Sequence, residues 1–313
     1  MKNKLLPLLA AVIIIASAGF ALYPTVSQWV NAMLSESAIM HYNEAVDTLS
    51  FEDKEAELIK AEEYNRGLSN TVSDSFSSEA FEDDERYNSI LNLTDDGQIG
   101  TINIPSIDCQ LPVYHGSNEE MLSKGAVHLV GTAFPIGGGS TRSVISAHTA
   151  YPGKILFDRL TEVEIGDEFS VTVLGETLYY KVTEVKVISP EEVEYLMPEK
   201  GRDLVTLVTC TPYSVNTHRL IVTGERDNTP RESVSEPDSE QHIYDGLLPN
   251  IIVCAVLWTL VAVIGLAILK RVTKRKMKHE KWNITNHRSA FTVRKRSVVL
   301  IPKCIKESVT GEE

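Results

Sequence analysis

A cysteine, a histidine and an arginine of this chain each stand at the end of a predicted β-strand, and together they could perform thiol chemistry. Cys210 ends an apolar strand pattern, and Pro212 follows almost at once and stops the strand ladder. His148 comes just after a second apolar run, and Arg219 opens a third. A cysteine nucleophile needs a base or a cation to form its thiolate and a donor group to hold the developing oxyanion. The three residue types together therefore predict covalent catalysis by a thiol.

The spacing of Cys210 and Arg219 indicates how the two residues would meet. If the strands that flank the loop 211–218 pair as a hairpin, the cysteine and the arginine lie close together. Neither residue on its own is a specific sign of catalysis. A cysteine at the end of a buried strand is commonly structural, and an arginine that begins a strand is commonly a solvated charge. The interpretation depends on the fold bringing the three side chains together.

Short β-type runs separated by turn residues fill the chain between about 97 and 226 and would supply these strand ends. Several of the runs alternate apolar and polar residues, as half-buried strands do. The predicted strands are 100–104, 111–114, 143–146, 169–174, 177–188, 204–209 and 220–224. This pattern predicts a mainly β domain, a barrel or a sandwich, over residues 97–228.

The segments on either side of the β domain differ from it in composition. Residues 23–69 are rich in Ala, Glu and Leu and predict a helical arm. Residues 70–96 are polar and acidic, which favours an exposed loop over core. Residues 229–246 are rich in Asp, Pro, Ser and Glu and predict a linker without a core of its own.

Two uncharged apolar runs predict membrane segments. Residues 5–22 are typical of either a membrane anchor or a signal segment, and Ala16-Ser17-Ala18 resembles a cleavage site. Residues 247–269 are long enough to cross a bilayer as a helix. The tail 270–313 begins with a cluster of lysines and arginines, and residues 1–4 hold two lysines, so both ends are predicted on the cytoplasmic side.

The charge distribution supports this topology. The chain carries 30 Lys+Arg and 43 Asp+Glu, for a net charge of −13. Residues 23–246 hold 15 of the basic and 39 of the acidic residues, so the predicted exterior has a net charge of −24 and the flanks are basic. An acidic exterior disfavours nucleic-acid binding, because it would repel a polyphosphate. Four cysteines in 313 residues exclude a disulfide scaffold.

The motifs around the three candidate residues resemble those of the sortases, the cysteine transpeptidases of Gram-positive bacteria. The resemblance spans about 97–226 and includes Thr206-Leu207-Val208-Thr209-Cys210 with Arg219 nine residues later. It also includes Leu111-Pro112-Val113-Tyr114-His115-Gly116, Gly125-Ala126-Val127-His128-Leu129 and Ser146-Ala147-His148. One departure is Thr149-Ala150, where many relatives have Arg-Gly. The resemblance implies a closed barrel of about eight strands.

The resemblance also implies a reaction and a role for each residue. Cys210 would attack the Thr-Gly bond of an LPxTG-type sorting signal, and an amine would resolve the thioester. His148 would act as general acid and base, and Arg219 would hold the substrate carbonyl and the oxyanion. Leu207 and Thr209 are predicted to contact the substrate. This chemistry requires no metal or organic cofactor.

The second predicted membrane segment makes the chain similar to class C sortases, which polymerise pilins through a lysine amine. Those enzymes carry an Asp-Pro-aromatic lid, and Asp74-Ser75-Phe76 is the nearest match in the segment 70–96. In this interpretation Asp74 pairs with Arg219 and Phe76 covers Cys210. Glu79-Ala80-Phe81 is a second candidate for the lid anchor.

Other readings of the same residues stay open at this point. A papain-like enzyme would place the cysteine before the histidine, and zinc binding by His115, His128, His148 and Cys210 lacks paired ligand spacing. A wall-anchoring sortase that uses a peptidoglycan amine, or a non-catalytic pilus-assembly scaffold, would share the fold. Cys254 lies in a predicted membrane segment and Cys304 in the tail, while Cys109 is predicted to pack in a strand. His115, His128 and His218 are predicted to be structural.

Overall fold

The computed structural model describes residues 2–68, 85–116 and 119–229, with a few single residues between 259 and 282. The chain divides into two compact units, Tyr23–Leu247 and a second unit of Met1–Leu22 with Leu248–Glu313. The predicted lid residues Asp74 and Phe76, the linker 229–246 after its first residue, and nearly all of 247–313 lie outside the described residues. All the described strands lie in the unit Tyr23–Leu247, and the first described helix includes residues of both units.

Four α-helices and eight β-strands make up the described chain. The helices are α1 (Lys2–Thr48), α2 (Phe51–Gly67), α3 (Glu85–Asn88) and α4 (Glu119–Lys124). The strands are β1 (Gln98–Ile104), β2 (Cys109–His115), β3 (Ala126–His128), β4 (Thr141–Ser146), β5 (Glu168–Val173), β6 (Glu176–Ile188), β7 (Asp203–Thr211) and β8 (His218–Arg226).

The eight strands form a closed barrel in the order β1-β2-β3-β4-β7-β8-β6-β5, with β5 pairing back to β1. Two of the pairings, β2 with β3 and β4 with β7, are parallel, and the others are antiparallel. Closure pairs each described strand with two neighbours, and so avoids the free edge strands that otherwise invite association with other chains. Buried aliphatic side chains from several strands fill the core, among them Ile102, Val113, Ile145, Val171 and Val222. The predicted β-barrel is confirmed.

Seven of the eight strands begin and end close to the predicted positions, and β3 was missed. This strand has only three residues, Ala126–His128, all of them buried. An alternating pattern cannot show itself over three residues, and a run buried on both faces does not alternate. Its parallel pairing with β2 aligns Val113 with Ala126 and His115 with His128.

The helical arm predicted for 23–69 is present as the later part of α1 followed by α2. The chain turns at Leu49-Ser50, where the Ser50 hydroxyl accepts a hydrogen bond from the Asp53 amide and caps α2. Tyr42 of α1 is fully buried, and its hydroxyl donates to the Ile99 carbonyl at 2.8 Å and accepts from the Leu174 amide at 3.2 Å. The arm is therefore part of the packed fold.

The prediction of an exposed loop over 70–96 is wrong for its last part. Tyr87, Ile90 and Leu91 are buried in the main core, and the Leu91 amide donates to the Glu57 carboxylate of α2 at 3.0 Å. The acidic and polar residues between them gave the segment its loop-like composition. Three apolar anchors in a short polar stretch are enough to bind it to the barrel, because each buried side chain contributes roughly 1.5–3 kcal/mol.

The helix α1 contains a stretch, within Val12–Thr48, that is long and apolar enough to cross a membrane. This agrees with the anchor or signal segment predicted for residues 5–22, which are helical throughout. The same length and composition also occur in signal segments, so the finding leaves both alternatives in place.

Candidate active site

The hairpin of β7 and β8 places Cys210 and Arg219 side by side. The antiparallel register pairs Val208 with Ile221, Thr209 with Leu220 and Cys210 with Arg219. Directly paired residues of neighbouring antiparallel strands have Cβ atoms about 4.5–5.5 Å apart, on the same face of the sheet. Both residues are half-buried. The predicted hairpin thus places the two residues directly opposite each other on neighbouring strands.

The loop between the two strands helps to hold the arginine in place. Ser214 and Asn216 adopt left-handed backbone conformations with φ of 63° and 62°, which tighten the turn. The Arg219 Nη1 atom donates to the carbonyl oxygens of Asn216 and His218 at 3.3 and 3.2 Å. The charged end of the side chain is therefore fastened to the loop at the rim of the barrel.

His148 comes to the same rim through the parallel pairing of β4 with β7. The register aligns Ser146 with Val208, and the Ala147 amide donates to the Val208 carbonyl at 3.2 Å just beyond the ladder. Continued by two residues, this register puts His148 level with Cys210. Because parallel strands end at the same edge of a sheet, the histidine and the cysteine emerge together. The His148 side chain is 25% exposed, so the ring is partly shielded from water.

Leu207 and Thr209 do not lie on the accessible surface of this site. Leu207 is 0% and Thr209 1% exposed, and the Thr209 hydroxyl donates to the Ala147 carbonyl at 2.8 Å. The predicted contact of these side chains with substrate is therefore corrected: both are enclosed in the barrel wall. The hydroxyls of Thr209 and Thr149 lie 2.9 Å apart, so Thr209 ties the segment around His148 to β7.

The departure at Thr149-Ala150 has a structural consequence. Ala150 has φ of 62°, a left-handed conformation in which glycine carries no steric penalty and alanine does. The Asp158 carboxylate stabilises this turn by accepting hydrogen bonds from the Ala150 and Leu156 amides at 3.0 and 2.9 Å. The chain therefore keeps, with alanine, the backbone turn that glycine makes easily.

Two further side chains contact His148, and the sequence singled out neither. The Tyr151 ring stacks on the imidazole, with centroids 5.2 Å apart and an interplanar angle of 26°. The Glu119 Oε2 atom at the start of α4 lies 3.6 Å from the His148 Nε2 atom. Neither contact produces a sequence pattern, because the contacts depend on how the loop 149–158 and α4 fold onto the rim.

The loop that follows His148 is also held by α1. The Gly153 carbonyl accepts hydrogen bonds from the Ser27 hydroxyl at 3.1 Å and from the Asn31 side-chain amide at 2.8 Å. Gly153 has φ of 78°, and an added Cβ atom there would lie 2.3 Å from the Ser27 Oγ atom. A glycine is thus required at this contact for both space and backbone conformation.

The other described histidines have structural or peripheral positions. His128 is fully buried; its Nδ1 atom lies 2.9 Å from the Tyr87 hydroxyl and its Nε2 atom 2.9 Å from the Ala133 carbonyl, and burial lowers its pKa to about 3. His115 is also buried, and burial lowers its pKa to about 4. Both rings stay neutral near pH 7 and pack with Tyr87 and Phe134. His218 is exposed at the start of β8.

Cys109 differs from Cys210 in its surroundings. It begins β2, as predicted for a strand residue, and burial raises the pKa of its thiol to about 12. Its sulfur lies 3.5 Å from the Leu156 carbonyl. Among the described residues, neither Cys109 nor Cys210 takes part in a disulfide. A thiol with so high a pKa is a poor nucleophile, so Cys109 is a weaker candidate for thiol chemistry than Cys210.

The comparisons with known proteins agree with this geometry. The Sortase domain family model matches residues 102–227. Sortase A of Streptococcus agalactiae is 30% identical over 142 residues, which are 44% of this chain and 56% of that protein. The chain spans a little over half the length of the curated relatives it matches.

Solved structures give a longer match. Sortase C-1 from Streptococcus pneumoniae is 41% identical, with 63% of this chain and 100% of that chain covered and a TM-score of 0.58. A pilus-related sortase C of Group B Streptococcus is 39% identical, with 60% and 96% covered and a TM-score of 0.56. The closed barrel with cysteine, arginine and histidine at one rim is thus a sortase fold. The chain belongs to the sortase family, and these neighbours are class C sortases.

Proposed function

We propose that this protein is a membrane-held cysteine transpeptidase that cuts an LPxTG-type sorting signal between Thr and Gly. The observation that carries the proposal is the register that pairs Cys210 with Arg219 and, continued two residues beyond β4, brings His148 level with them. A nucleophile, a cation and a proton carrier at one rim are the groups that acyl transfer through a thioester needs. The family assignment supports the same reaction.

Each residue has one step in this mechanism. The Cys210 sulfur attacks the threonine carbonyl carbon, and the forked guanidinium of Arg219 binds the oxygen that gains negative charge. When the C–N bond breaks, His148 donates its proton to the leaving glycine amine, and a thioester remains on Cys210. An incoming amine then gives a proton to His148 and attacks the thioester carbonyl, and the C–S bond breaks to restore the thiolate.

We assign the incoming amine to a lysine side chain of a second pilin subunit. The support is the similarity to class C sortases, including one described as pilus-related. The curated relatives named Sortase A support the alternative of a wall-anchoring enzyme that uses a peptidoglycan amine. In either case residues 5–22 and 247–269 would hold the acidic region 23–246 outside the cell, with 270–313 as a cytoplasmic tail.

The decisive experiment looks for the thioester. Full-length protein in detergent micelles is incubated with an LPxTG-type peptide, and mass spectrometry follows the mass of each cysteine-containing fragment. We expect an acyl adduct on Cys210 that is absent from Cys210→Ala and present in the matched control Cys109→Ala. Loss of His148 should slow adduct formation by about 10²- to 10⁴-fold. An identical spectrum for wild type and Cys210→Ala would overturn the enzyme assignment.

A competition between acceptors separates the two kinds of sortase. Equal amounts of a lysine-bearing pilin peptide, in which only the side-chain amine is unblocked, and of a peptidoglycan stem peptide are supplied with the LPxTG-type donor. A product linked through the lysine side chain is expected to dominate if the protein is a pilin polymerase. Dominant transfer to the stem peptide would instead favour wall anchoring.

We also propose that the segment before the barrel contains a lid over the site, with Asp74 and Phe76 as its anchor. The burial of Tyr87 and Leu91 limits a lid to residues before 85, so a test deletion must stop at 84. Replacing 69–84 by a Gly-Ser linker of equal length should raise peptide turnover. Unchanged or lower turnover in a protein with wild-type thermal stability would count against the lid.

A further inference from the structure

The carboxylate of Glu119 lies next to the proposed general acid and base. Its Oε2 atom is 3.6 Å from the His148 Nε2 atom, longer than a hydrogen bond but within ion-pair distance. That Nε2 atom is buried and has no hydrogen-bond partner among the described residues. A buried polar nitrogen without a partner is costly, and in the tautomer or charged form in which Nε2 carries a proton, the nearby carboxylate can accept it after a small side-chain rotation.

The position of Glu119 is fixed by more than its own contact. Lys154, in the loop that follows His148, donates through its Nζ atom to the Ser123 carbonyl of α4. The helix and the histidine loop are therefore fastened together at a second point. The neighbouring Glu120 has a different partner: its Oε1 atom lies 2.9 Å from the Lys124 Nζ atom on the same helix. Two consecutive glutamates thus lie in different surroundings, and only Glu119 approaches the site.

We infer that Glu119 is a positioning residue of the transpeptidase, a carboxylate that orients His148 and pairs with the imidazole while that ring carries the proton of the reaction. A positive imidazole supports the Cys210 thiolate, and it is also the form that can protonate the leaving amine. The carboxylate acts on Nε2, while the Tyr151 ring restricts the plane of the imidazole from one face. No bond to substrate forms through Glu119; its effect passes through His148.

The expected size of the effect follows from the exposure of the pair. Glu119 is 76% exposed and His148 25%, so water screens the attraction on the carboxylate side. Exposed ion pairs contribute roughly 0.2–1 kcal/mol, which corresponds to a rate change of at most about fivefold. The effect should shrink as salt is raised from about 10 mM to about 1 M, because the screening length falls about tenfold over that range.

The experiment compares full-length wild type with Glu119→Gln, Glu119→Asp and the matched control Glu120→Gln. Two rates are measured at low and at high salt: thioester formation with an LPxTG-type peptide, and alkylation of Cys210 by iodoacetamide, which needs no substrate. We expect Glu119→Gln to lower both the kcat of thioester formation and the alkylation rate by about two- to fivefold at low salt. The KM for the peptide should be unchanged. Glu119→Asp should recover part of both rates, and Glu120→Gln should match wild type.

Three results would overturn the inference: Glu119→Gln equal to Glu120→Gln in both rates, a loss confined to KM, or a loss that Glu119→Asp and high salt leave unchanged. The inference rests on the role proposed for His148, so His148→Ala is measured in parallel. If His148→Ala reacts at the wild-type rate, the proposed function fails first. If His148→Ala is inactive while Glu119→Gln is not impaired, only the assignment of Glu119 fails.

Discussion

Replacing Gly153 by alanine tests whether α1 supports the histidine loop. The Gly153 backbone has φ of 78°, and a Cβ atom there would lie 2.3 Å from the Ser27 Oγ atom and 3.3 Å from the Ser27 Cβ atom. The left-handed conformation costs an alanine roughly 1–2 kcal/mol. The Ser27 hydroxyl would also have to rotate away and give up its hydrogen bond to the Gly153 carbonyl, for about 1 kcal/mol more.

The total is a loss of about 2–3 kcal/mol in the free energy of unfolding, or roughly 4–12 °C in Tm for a unit of this size. The matched control is Gly201→Ala, because Gly201 has a nearly identical φ of 79° and no atom within 4 Å of an added Cβ. Gly201→Ala should therefore show only the backbone cost. The difference in Tm between the two variants, followed by circular dichroism on the full-length protein, isolates the contact with α1.

Activity supplies a second measurement on the same pair of variants. Because Tyr151 stacks on His148 and lies two residues before Gly153, a displaced loop should lower kcat in Gly153→Ala and leave it unchanged in Gly201→Ala. Equal Tm values for the two variants would refute the argument from the Ser27 contact. A normal kcat in Gly153→Ala, measured well below its Tm, would show that the loop does not position the histidine.

Three other predictions concern residues whose surroundings are well defined. Ala150→Gly should raise the free energy of unfolding by about 0.5–1 kcal/mol, because it removes a left-handed alanine; a urea titration that shows no gain would contradict this. Arg142→Met should lower the free energy of unfolding by roughly 2–3 kcal/mol, because the buried guanidinium donates to Thr206, Glu199 and the Tyr195 carbonyl. It should leave kcat unchanged, because Arg142 lies at the end of β4 that is far from His148. Burial lowers the pKa of His128 to about 3, from its ordinary value of about 6.5. The neutral form therefore contributes its full stability above about pH 6.5, and this stability is lost as the pH falls from about 6.5 toward about 3. At about pH 5 the share of the loss that comes from His128 should be roughly 2 kcal/mol by urea titration, and His115, whose pKa burial lowers to about 4, should add a similar share. His128→Gln should remove about half of this pH dependence, while a variant of exposed His218 should leave it unchanged.

The sequence predicted those parts of the fold that depend on residues close together in the chain. Alternation located seven strands, and the hairpin between β7 and β8 followed from two strands flanking one loop. The parallel pairing of β4 with β7 could not be read in this way, because those strands are separated by β5 and β6 and their register depends on closing the barrel. Only the resemblance to a known family suggested that His148 and Cys210 would meet.

The predictions that the structure corrects, and the contacts that the sequence missed, all depend on packing between segments that are not neighbours in the chain. Leu207 and Thr209 belong to a strand that is buried on both faces, so nearness to Cys210 in sequence does not make them part of the accessible surface. Residues 85–91 are mostly polar, yet Tyr87 and Leu91 are fully buried, and composition averages hide single anchors of this kind. Glu119, Ser27 and Asn31 have no sequence signal at all, because their contacts cross between distant segments.

The parallel pairing of β4 with β7 bears on how such an enzyme can change over evolution. His148 and Cys210 are set by the strand register, while the loops 149–158 and 212–217 leave the barrel at the same rim and are tied down by side-chain and backbone contacts of their own. Changes in either loop that preserve these contacts can therefore remodel the rim while the register of histidine and cysteine is kept. Under the proposed function, new sorting signals and acceptors would become accessible by changes in surface loops, while His148 and Cys210 keep their places at the ends of paired strands.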